Sequence, residues 1–291
     1  MYALIEQNSG GNHGHQIKDV LGGIIISKYF KLTYLHRRNG NYLDFTGLQH
    51  VYKAYDKNIL KGYRTIEFTG PEWRGYNNYF KFLIRYRKLL YKSRRRYAFF
   101  SNACRVHPFQ IYNWQKKGIV KNDIYGSLIQ KLATGFKIQN PNRPIEFDVD
   151  LINVAVHISR GVDYKKQQKN SKVLRYMFSV EYFKSIIKQI ENSYSAKKVL
   201  FHIYTEKLNS EEVVKSFSDK FNVKIHLGEN RDEFSELQVA NIFNAFVKAD
   251  VLVTCNSSFS VVASYFRNNK PTIYYPHRHL DFLNHPAFLA T

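Results

Sequence analysis

The chain has 291 residues, of which 44% are hydrophobic and 23% are charged. This composition fits a globular protein of about two domains and excludes wholesale disorder. The formal net charge is +21, and the first 150 residues hold 25 Lys/Arg against 10 Asp/Glu, compared with 19 against 13 in the remainder. A basic excess concentrated in one half predicts an acidic partner for that half, such as a membrane, a nucleic acid or a phosphorylated ligand.

The cysteine count and the hydropathy pattern indicate a compartment. Cys104 and Cys255 are the two cysteines, too few for a disulfide framework or a paired zinc motif, and they fit a reducing cytoplasm. The N-terminus lacks the pattern of a secretory signal, and no apolar run approaches the ~18 residues that a membrane span needs. We therefore expect a cytoplasmic protein that, where it meets a membrane, lies on the inner face.

The first half opens with the pattern of a βαβ unit. The residues predict a strand over 2–7, a glycine-rich loop over 8–14, a helix over 15–30 and a strand over 31–36. Further along, they predict a helix over 79–92, a strand over 97–106 and helices near 107–117 and 123–134. The polar stretch 139–144 holds two prolines and is predicted to link a domain of residues 1–143 to one of residues 144–291.

The second half alternates strands and helices more clearly. Strands are predicted over 151–159, 198–205, 223–227, 251–255 and 272–275, and helices over 180–192, 211–221, 234–248 and 259–266. This alternation predicts a parallel, doubly wound sheet and places the chain in the α/β class.

The first candidate site is the loop SGGNHGHQ, residues 9–16, between the first strand and the first helix. Glycines allow close backbone approach to a ligand, and a helix N-terminus offers free N–H groups to an anion. The residues predicted to contact the ligand are Gly11, Asn12, Gly14 and Gln16. His13 and His15 are candidate general bases, with His15 preferred. The alternatives are a tight turn and histidines that cap the helix or face solvent.

The second candidate site follows the strand of VAVHISRGVDY, residues 154–164. Arg160 at a strand end suits bidentate recognition of a phosphate, and Asp163 could hold its guanidinium in place. A structural ion pair is the alternative. His157 has the pattern of a buried, hydrogen-bonded histidine.

The third candidate site lies in ADVLVTCNSSFSVVASYF, residues 249–266, where a buried strand leads through Thr254 into Asn256, Ser257 and Ser258. Hydroxyls and free amides at the start of a helix can bind an anion, and they can also cap the helix. We expect both roles here. Two anion sites in the second half and a glycine loop in the first imply a ligand held between two domains.

These three segments, in this order, resemble the GT-B fucosyltransferase superfamily, which contains α1,2-, α1,6- and protein O-fucosyltransferases. The glycine loop and its helix correspond to GGNHGHQIKDVLGGIIISKYF, residues 10–30. The family motif His-x-Arg-Arg-Gly-Asp is similar to residues 157–163, and the motif ending Ser-Ser-Phe-Ser is similar to residues 249–260. The resemblance implies two Rossmann-like domains facing each other across a cleft, an N-terminal acceptor-side domain and a C-terminal nucleotide-sugar-binding domain.

The resemblance also implies functions for particular residues. Arg160, Ser257 and Ser258 would hold the diphosphate of the donor, with Asn256 and Thr254 close by. The chain departs from the family pattern at Ser159, where the family has its first motif Arg, and at His15, where the glycine loop has Asn. GDP-fucose is the commonest donor of the family and is the first expectation here.

The implied reaction is a metal-independent, inverting transfer to a hydroxyl of a glycan or glycolipid in cell-surface polysaccharide synthesis. Arg160 would stabilise the charge that develops on the leaving diphosphate, and His15 would accept the proton of the acceptor hydroxyl. The resemblance implies a reaction that needs neither a metal nor a further cofactor.

The stretch from Lys81 to Arg96 contains eight Lys/Arg and an apolar face, a pattern that suits an amphipathic segment on an anionic membrane. A solvated basic helix packed on the core is the alternative. For the whole chain, the competing hypotheses are a transferase of another nucleotide-activated group and a basic nucleic-acid-binding protein. The second lacks helix-turn-helix, zinc and RNA-recognition signatures, and no nucleic-acid partner is expected.

Overall fold

The described part of the chain consists mainly of two parallel sheets and the helices beside them. The computed structural model describes residues 3–7, 13–29, 31–36, 44–55, 57–68, 97–102, 112, 115–116, 118, 123–159, 179–219, 222–228, 235–255, 257–268 and 270–273. The chain divides into two units, Met1–Pro141 and Asn142–Thr291, and each contains one sheet of five parallel strands. The predicted α/β class is confirmed.

The sheet of the first unit has the order β3-β2-β1-β5-β4. Its strands are β1 (Ala3–Gln7), β2 (Thr33–His36), β3 (Lys53–Ala54), β4 (Arg64–Phe68) and β5 (Tyr97–Asn102), its longer helices are α1 (His13–Tyr29) and α2 (Ile124–Gln139), and Leu48–His50 and Lys57–Leu60 form 3-10 turns. The βαβ opening is confirmed, whereas β3 and β4 were not predicted and α2 runs five residues beyond its predicted end. The helix predicted over 79–92, most of that over 107–117, and residues 103–106 of the predicted strand lie outside the described residues.

Helix α1 of the first unit packs on the sheet, and helix α2 packs beside a 3-10 turn. Helix α1 contacts β1 and β2, and it buries Ile17, Leu21 and Ile24 completely. The backbone of helix α2 packs against the backbone beside the 3-10 turn Leu48–His50. Gly47, which precedes this turn and has a φ of 73°, lies against Gly135 of α2. A Cβ atom on Gly47 would come within 2.0 Å of the Gly135 carbonyl oxygen, so neither position has room for a side chain.

The sheet of the second unit has the order β10-β9-β6-β7-β8. Its strands are β6 (Ile152–His157), β7 (Val199–Glu206), β8 (Val223–Gly228), β9 (Val251–Val253) and β10 (Thr272–Ile273), and its helices are α3 (Val180–Ser193), α4 (Glu211–Phe217), α5 (Glu236–Lys248) and α6 (Ser258–Ser264). Every element predicted for this half is present, and the predicted doubly wound parallel sheet is confirmed. Helix α4 was predicted to reach residue 221 but ends at Phe217, before Ser218 and Asp219, which are poor helix formers.

One face of this sheet forms the core of the second unit. Val156, Phe201 and Val253 belong to three neighbouring strands and are fully buried in one cluster with Phe183 of α3 and Phe217 of α4. Burying one such side chain contributes about 1.5–3 kcal/mol to folding. The core therefore fixes β6, β7 and β9 as a rigid set.

A buried arginine stabilises the amino ends of β9 and β10. Arg267 is 2% exposed, and its guanidinium lies at the C-terminal end of α5, where a positive charge is favourable. It donates hydrogen bonds to the carbonyl oxygens of Phe246, Val247, Asp250 and Pro271 and to the hydroxyl of Thr272. One side chain thus joins the end of α5 to the starts of β9 and β10.

Replacing Arg267 with Met should lower the free energy of unfolding by about 3 kcal/mol or more, because several buried carbonyl groups lose their donor together. Urea unfolding measures this change. Lys270→Met is the matched control, since Lys270 donates one hydrogen bond, to the carbonyl oxygen of Lys248, from an exposed position. A loss of similar size in both variants would contradict the role given to Arg267.

Candidate functional site

In the second unit, the strand order reverses between β6 and β9. The chain moves outward from β6 to β7 and β8, and then returns to the other side of β6 with β9 and β10. Ligands of open parallel sheets bind at such a reversal, outside the carboxyl ends of the strands. Val156 of β6 is the register partner of Val253 of β9, so the residues that follow these two strands share one edge. We call this the switch-point edge.

His157 and Cys255 meet at the switch-point edge. The Nδ1 atom of His157, the last residue of β6, lies 3.2 Å from the sulfur of Cys255, two residues beyond β9. Both side chains are buried, and the His157 ring packs on Phe246 of α5. His157 is therefore the buried, hydrogen-bonded histidine that the sequence predicts, and its partner was not predicted.

The two side chains favour each other's charged form. Burial opposes both charges, but the attraction between the pair and their hydrogen bond outweigh it. The pKa of His157 is raised as a result, with a further contribution from Glu206, and the pKa of Cys255 is lowered. Both shifts favour an imidazolium beside a thiolate over the neutral pair.

Ser159 and Glu206 form a second contact between neighbouring strands. The hydroxyl of Ser159 donates a hydrogen bond of 2.8 Å to Oε1 of Glu206, the last residue of β7. Ser159 is the position where the resemblance expects an arginine. The small hydroxyl reaches the carboxylate at the end of the adjacent strand, a contact that the sequence analysis missed because 47 residues separate the two.

The predicted phosphate ligands are described only in part. Ser257 caps α6 by accepting a hydrogen bond from the backbone N–H of Phe259, which confirms the predicted capping, and Ser258 begins the helix half-buried. Thr254 is buried, and its hydroxyl donates to the carbonyl oxygen of Ile273 at 3.3 Å. The structure thus brings His157, Thr254, Ser257 and Ser258 together at the switch-point edge. Arg160, Asp163 and Asn256 lie outside the described residues.

The predicted residues of the glycine loop belong to the first unit, whose strand order reverses between β1 and β5. Helix α1 begins at His13, two residues earlier than predicted. Gly14 and Gln16 are buried in its first turn, whereas His15 is exposed. Gly11 and Asn12 lie outside the described residues.

A third polar cluster lies on β6, β7 and β8. Nδ1 of the fully buried His202 is 3.1 Å from Nε2 of His226, and its Nε2 is 3.1 Å from Oδ1 of Asn153. The same Oδ1 accepts the backbone N–H of Asp148. It is thus an acceptor for His202 as well, and Nδ1 of His202 must accept from His226. Burial lowers the pKa of both histidines, which favours their neutral forms.

Within the described residues, no group of three or more His, Cys, Asp or Glu side chains is arranged to hold a metal ion. The helices of the described part of the chain are all too short or too polar to cross a membrane.

Solved structures with a similar fold include glycosyltransferases of the GT-B class. A point mutant of Arabidopsis thaliana FUT1 in complex with GDP matches with a TM-score of 0.54 and 8% identity, over 95% of this chain and 71% of that chain. POFUT1 in complex with GDP matches with a TM-score of 0.48 and 14% identity, over 94% and 98%. NodZ α-1,6-fucosyltransferase soaked with GDP-fucose matches with a TM-score of 0.45 and 12% identity, over 97% and 96%.

The similarity to FUT1 shows that the chain has the GT-B fold, as the resemblance implied. At 8% identity it establishes the fold alone. No protein-family model matches the sequence, and no curated protein matches it.

The polar cluster of His202, His226 and Asn153 should make the stability of the folded protein fall in acid. Burial, followed by repulsion from His226 and Lys224, lowers the pKa of His202 to about 3 from an ordinary 6.5. Unfolded His202 therefore takes up its proton near pH 6.5, and the folded protein does so only near pH 3. The free energy of unfolding should fall as pH drops through this window, by at most about 1.4 kcal/mol per pH unit from this residue.

Urea unfolding at a series of pH values tests this prediction. His202→Gln should flatten the acid limb of the stability profile, whereas His50→Gln, which changes an exposed histidine, should leave the slope unchanged. An identical acid slope in His202→Gln and the parent protein would contradict the prediction.

Proposed function

We propose that the chain is a glycosyltransferase that binds a nucleoside diphosphate sugar at the switch-point edge and transfers the sugar to a hydroxyl group. The observation that carries the proposal is the reversal of strand order between β6 and β9, which brings the segments predicted to bind phosphate to one edge of the sheet. This is the edge at which open parallel sheets bind nucleotides. The fold supports it, because FUT1, which has the same fold, was solved in complex with GDP.

The proposed reaction is a direct displacement. The acceptor oxygen forms a bond to C1 of the sugar as the bond from C1 to the diphosphate oxygen breaks, and the configuration at C1 inverts. The electron pair leaves with the diphosphate, where negative charge increases. Arg160, Ser257 and Ser258 would stabilise that charge with donors already in place, an effect worth about 10²–10³ in rate for one donor. No metal or other cofactor is needed for this step.

His15 is the proposed general base. It would take the proton of the acceptor hydroxyl as the oxygen attacks. Its exposed position in the first turn of α1 leaves the imidazole accessible to a substrate from solvent, which a base for an incoming acceptor requires. Gly11, Asn12, Gly14 and Gln16 are proposed to contact the donor, as are His157, Asp163, Thr254 and Asn256.

We further propose fucose as the transferred sugar, and a glycan or lipid-linked acceptor in cell-surface polysaccharide synthesis. The eight bases between Lys81 and Arg96 would hold the protein on the anionic inner face of a membrane, where a lipid-linked acceptor resides. This segment lies outside the described residues, and its charge is given by its sequence.

A nucleoside diphosphate should raise the melting temperature more than the corresponding monophosphate does, because the second phosphate adds contacts to Arg160, Ser257 and Ser258. At about 100 times its Kd, the ligand should add about 2.7 kcal/mol to the free energy of unfolding. Scanning calorimetry with GDP, UDP, CDP and ADP measures the effect and identifies the base, with GDP expected to be the most effective. No stabilisation by any of the four would contradict the nucleotide-sugar proposal.

Variants of Arg160 test in the same experiment whether this residue binds the diphosphate. Arg160→Ala should abolish most of the difference between diphosphate and monophosphate and lower turnover about 10²–10³-fold. Arg160→Lys should restore little, because a point charge does not replace a bidentate guanidinium. Arg143→Ala is the matched control, since Arg143 is an exposed arginine that pairs with Asp250. Asp250 precedes β9, at the amino end of that strand. A fully active Arg160→Ala would move the phosphate site elsewhere.

The membrane proposal predicts sedimentation with liposomes that contain anionic lipid. Each base near such a surface contributes about 1 kcal/mol, and added salt should weaken binding because it screens the charges. Replacing Arg94, Arg95 and Arg96 with Ser should release the protein while leaving transfer to a small soluble acceptor unchanged.

The matched control for this prediction is the triple replacement of Lys188, Lys197 and Lys198 with Ser. It removes the same charge from exposed positions of the second unit and should leave sedimentation nearly unchanged. Equal release by both triple variants, or equal binding to neutral and anionic vesicles, would contradict a membrane role for residues 81–96.

A further inference from the structure

The sulfur of Cys255 connects the chain ends on the two sides of the switch point. It lies two residues beyond β9 and is 3.2 Å from Nδ1 of His157, the last residue of β6. The backbone N–H groups of Ser159 and Ser257 also donate hydrogen bonds to it. Two of these three donors belong to the chain around the end of β6, and the third follows β9. Cys255 is 2% exposed and forms no disulfide.

We propose that Cys255 is a positioning residue, whose sulfur fixes the spacing between the segment that follows β6 and the segment that follows β9. The first segment continues from Ser159 directly into Arg160, and the second contains Ser257 and Ser258. These are the segments to which the diphosphate is assigned, so this inference rests on the proposed function. The sulfur does not touch the substrate. It acts through the backbone and the imidazole that it binds.

The role depends on the sulfur being a strong acceptor. A thiolate accepts charge-assisted hydrogen bonds, which are about twice as strong as neutral ones. Burial opposes its charge, but His157 and the two backbone N–H groups lower the pKa of Cys255 below that of an ordinary thiol. Glu206, at the end of β7, acts on the same pair, because it helps to raise the pKa of His157. A serine at this position would stay neutral and bind the same donors more weakly.

A pH dependence follows from this arrangement. As pH falls through the lowered pKa of Cys255, the sulfur gains a proton and loses its strength as an acceptor. The two segments are then held less firmly, and nucleoside diphosphate binding should weaken. The phosphates of the ligand also take up protons in acid, so the informative quantity is the difference between the parent protein and a variant without the thiol.

The first measurement tests the pair without any nucleotide. In a Cys104→Ser background, Cys255 is the sole thiol, and its ultraviolet thiolate absorbance can be followed as pH is lowered. We expect a thiolate signal at neutral pH that disappears on acidification, and His157→Gln should move this titration to higher pH. A thiol that titrates at its ordinary pKa in the folded protein would overturn the inference.

The second measurement is the Kd for GDP and for the other nucleoside diphosphates, by titration calorimetry in the same background. Cys255→Ala should raise the Kd about tenfold, the scale on which hydrogen bonds to a charged group act. Cys255→Ser should give a smaller rise, and the pH dependence specific to the thiol should vanish in both. Val251→Ala, which removes buried methyl groups from the other end of β9, should bind the nucleotide as the parent does.

The outcomes separate this inference from the proposed function. If the parent protein binds a diphosphate and folded Cys255→Ala and Cys255→Ser bind it equally well, the positioning role is overturned and the proposed function stands. If Val251→Ala weakens binding as much as Cys255→Ala does, the effect is general destabilisation, and the inference is again overturned. If the parent protein binds none of the nucleotides, the proposed function fails, and the positioning role fails with it.

Discussion

Strand β6 pairs with β7 on one side and with β9 on the other, and the arrangement of the second unit depends on this double pairing. Because all three strands are parallel, their carboxyl ends meet at one edge, and polar residues from distant parts of the sequence become neighbours. His157 reaches Cys255 across 98 positions of sequence, and Ser159 reaches Glu206 across 47. Each side chain lies at the end of a buried strand or two residues beyond it, so the backbone register of the strands brings these groups together.

The edge formed by the amino ends of these strands and the edge formed by their carboxyl ends are stabilised differently. At the amino edge, polar groups are satisfied within the fold: Arg267 binds four carbonyl oxygens, and a carboxylate oxygen of Asp250 accepts the backbone N–H of Asn153. At the carboxyl edge, the contacts are pairs of side chains from neighbouring strands. A closed hydrogen-bond network at one end gives rigidity, and it leaves the other end available for groups that change charge or meet a ligand.

The sequence predicts the second unit better than the first, and the reason is local. Strands such as β6 and β7 are buried on both faces, so their apolar runs are long and bounded by turn residues. Strand β3 consists of two exposed residues, and β4 mixes polar and apolar residues over five positions, so neither has the long apolar run of a buried strand. The contacts of the candidate site follow the same division. Capping by Ser257 is visible in the sequence, whereas the partners of His157 and Ser159 depend on pairings between strands that a local pattern does not contain.

Under the proposed function, the switch-point edge must attract a diphosphate although it contains the carboxylate of Glu206 and the sulfur of Cys255, whose pKa is lowered. Each of these groups is bound by a donor from the neighbouring strand, Glu206 by Ser159 and Cys255 by His157. The field of each negative group is therefore partly cancelled before a ligand arrives.

With Ser159 where the resembling family has an arginine, Arg160 is the only guanidinium of its motif. Neutral donors, the serine hydroxyls and backbone N–H groups after β9, must then supply a larger share of the binding than in a site with two arginines. The hydrogen bonds of neutral donors weaken steeply when their distance or angle departs from the optimum, whereas a charge acts over a longer range. A site built in this way depends more strongly on how accurately its two segments are held, and a buried pair that joins the segments is the kind of support it requires.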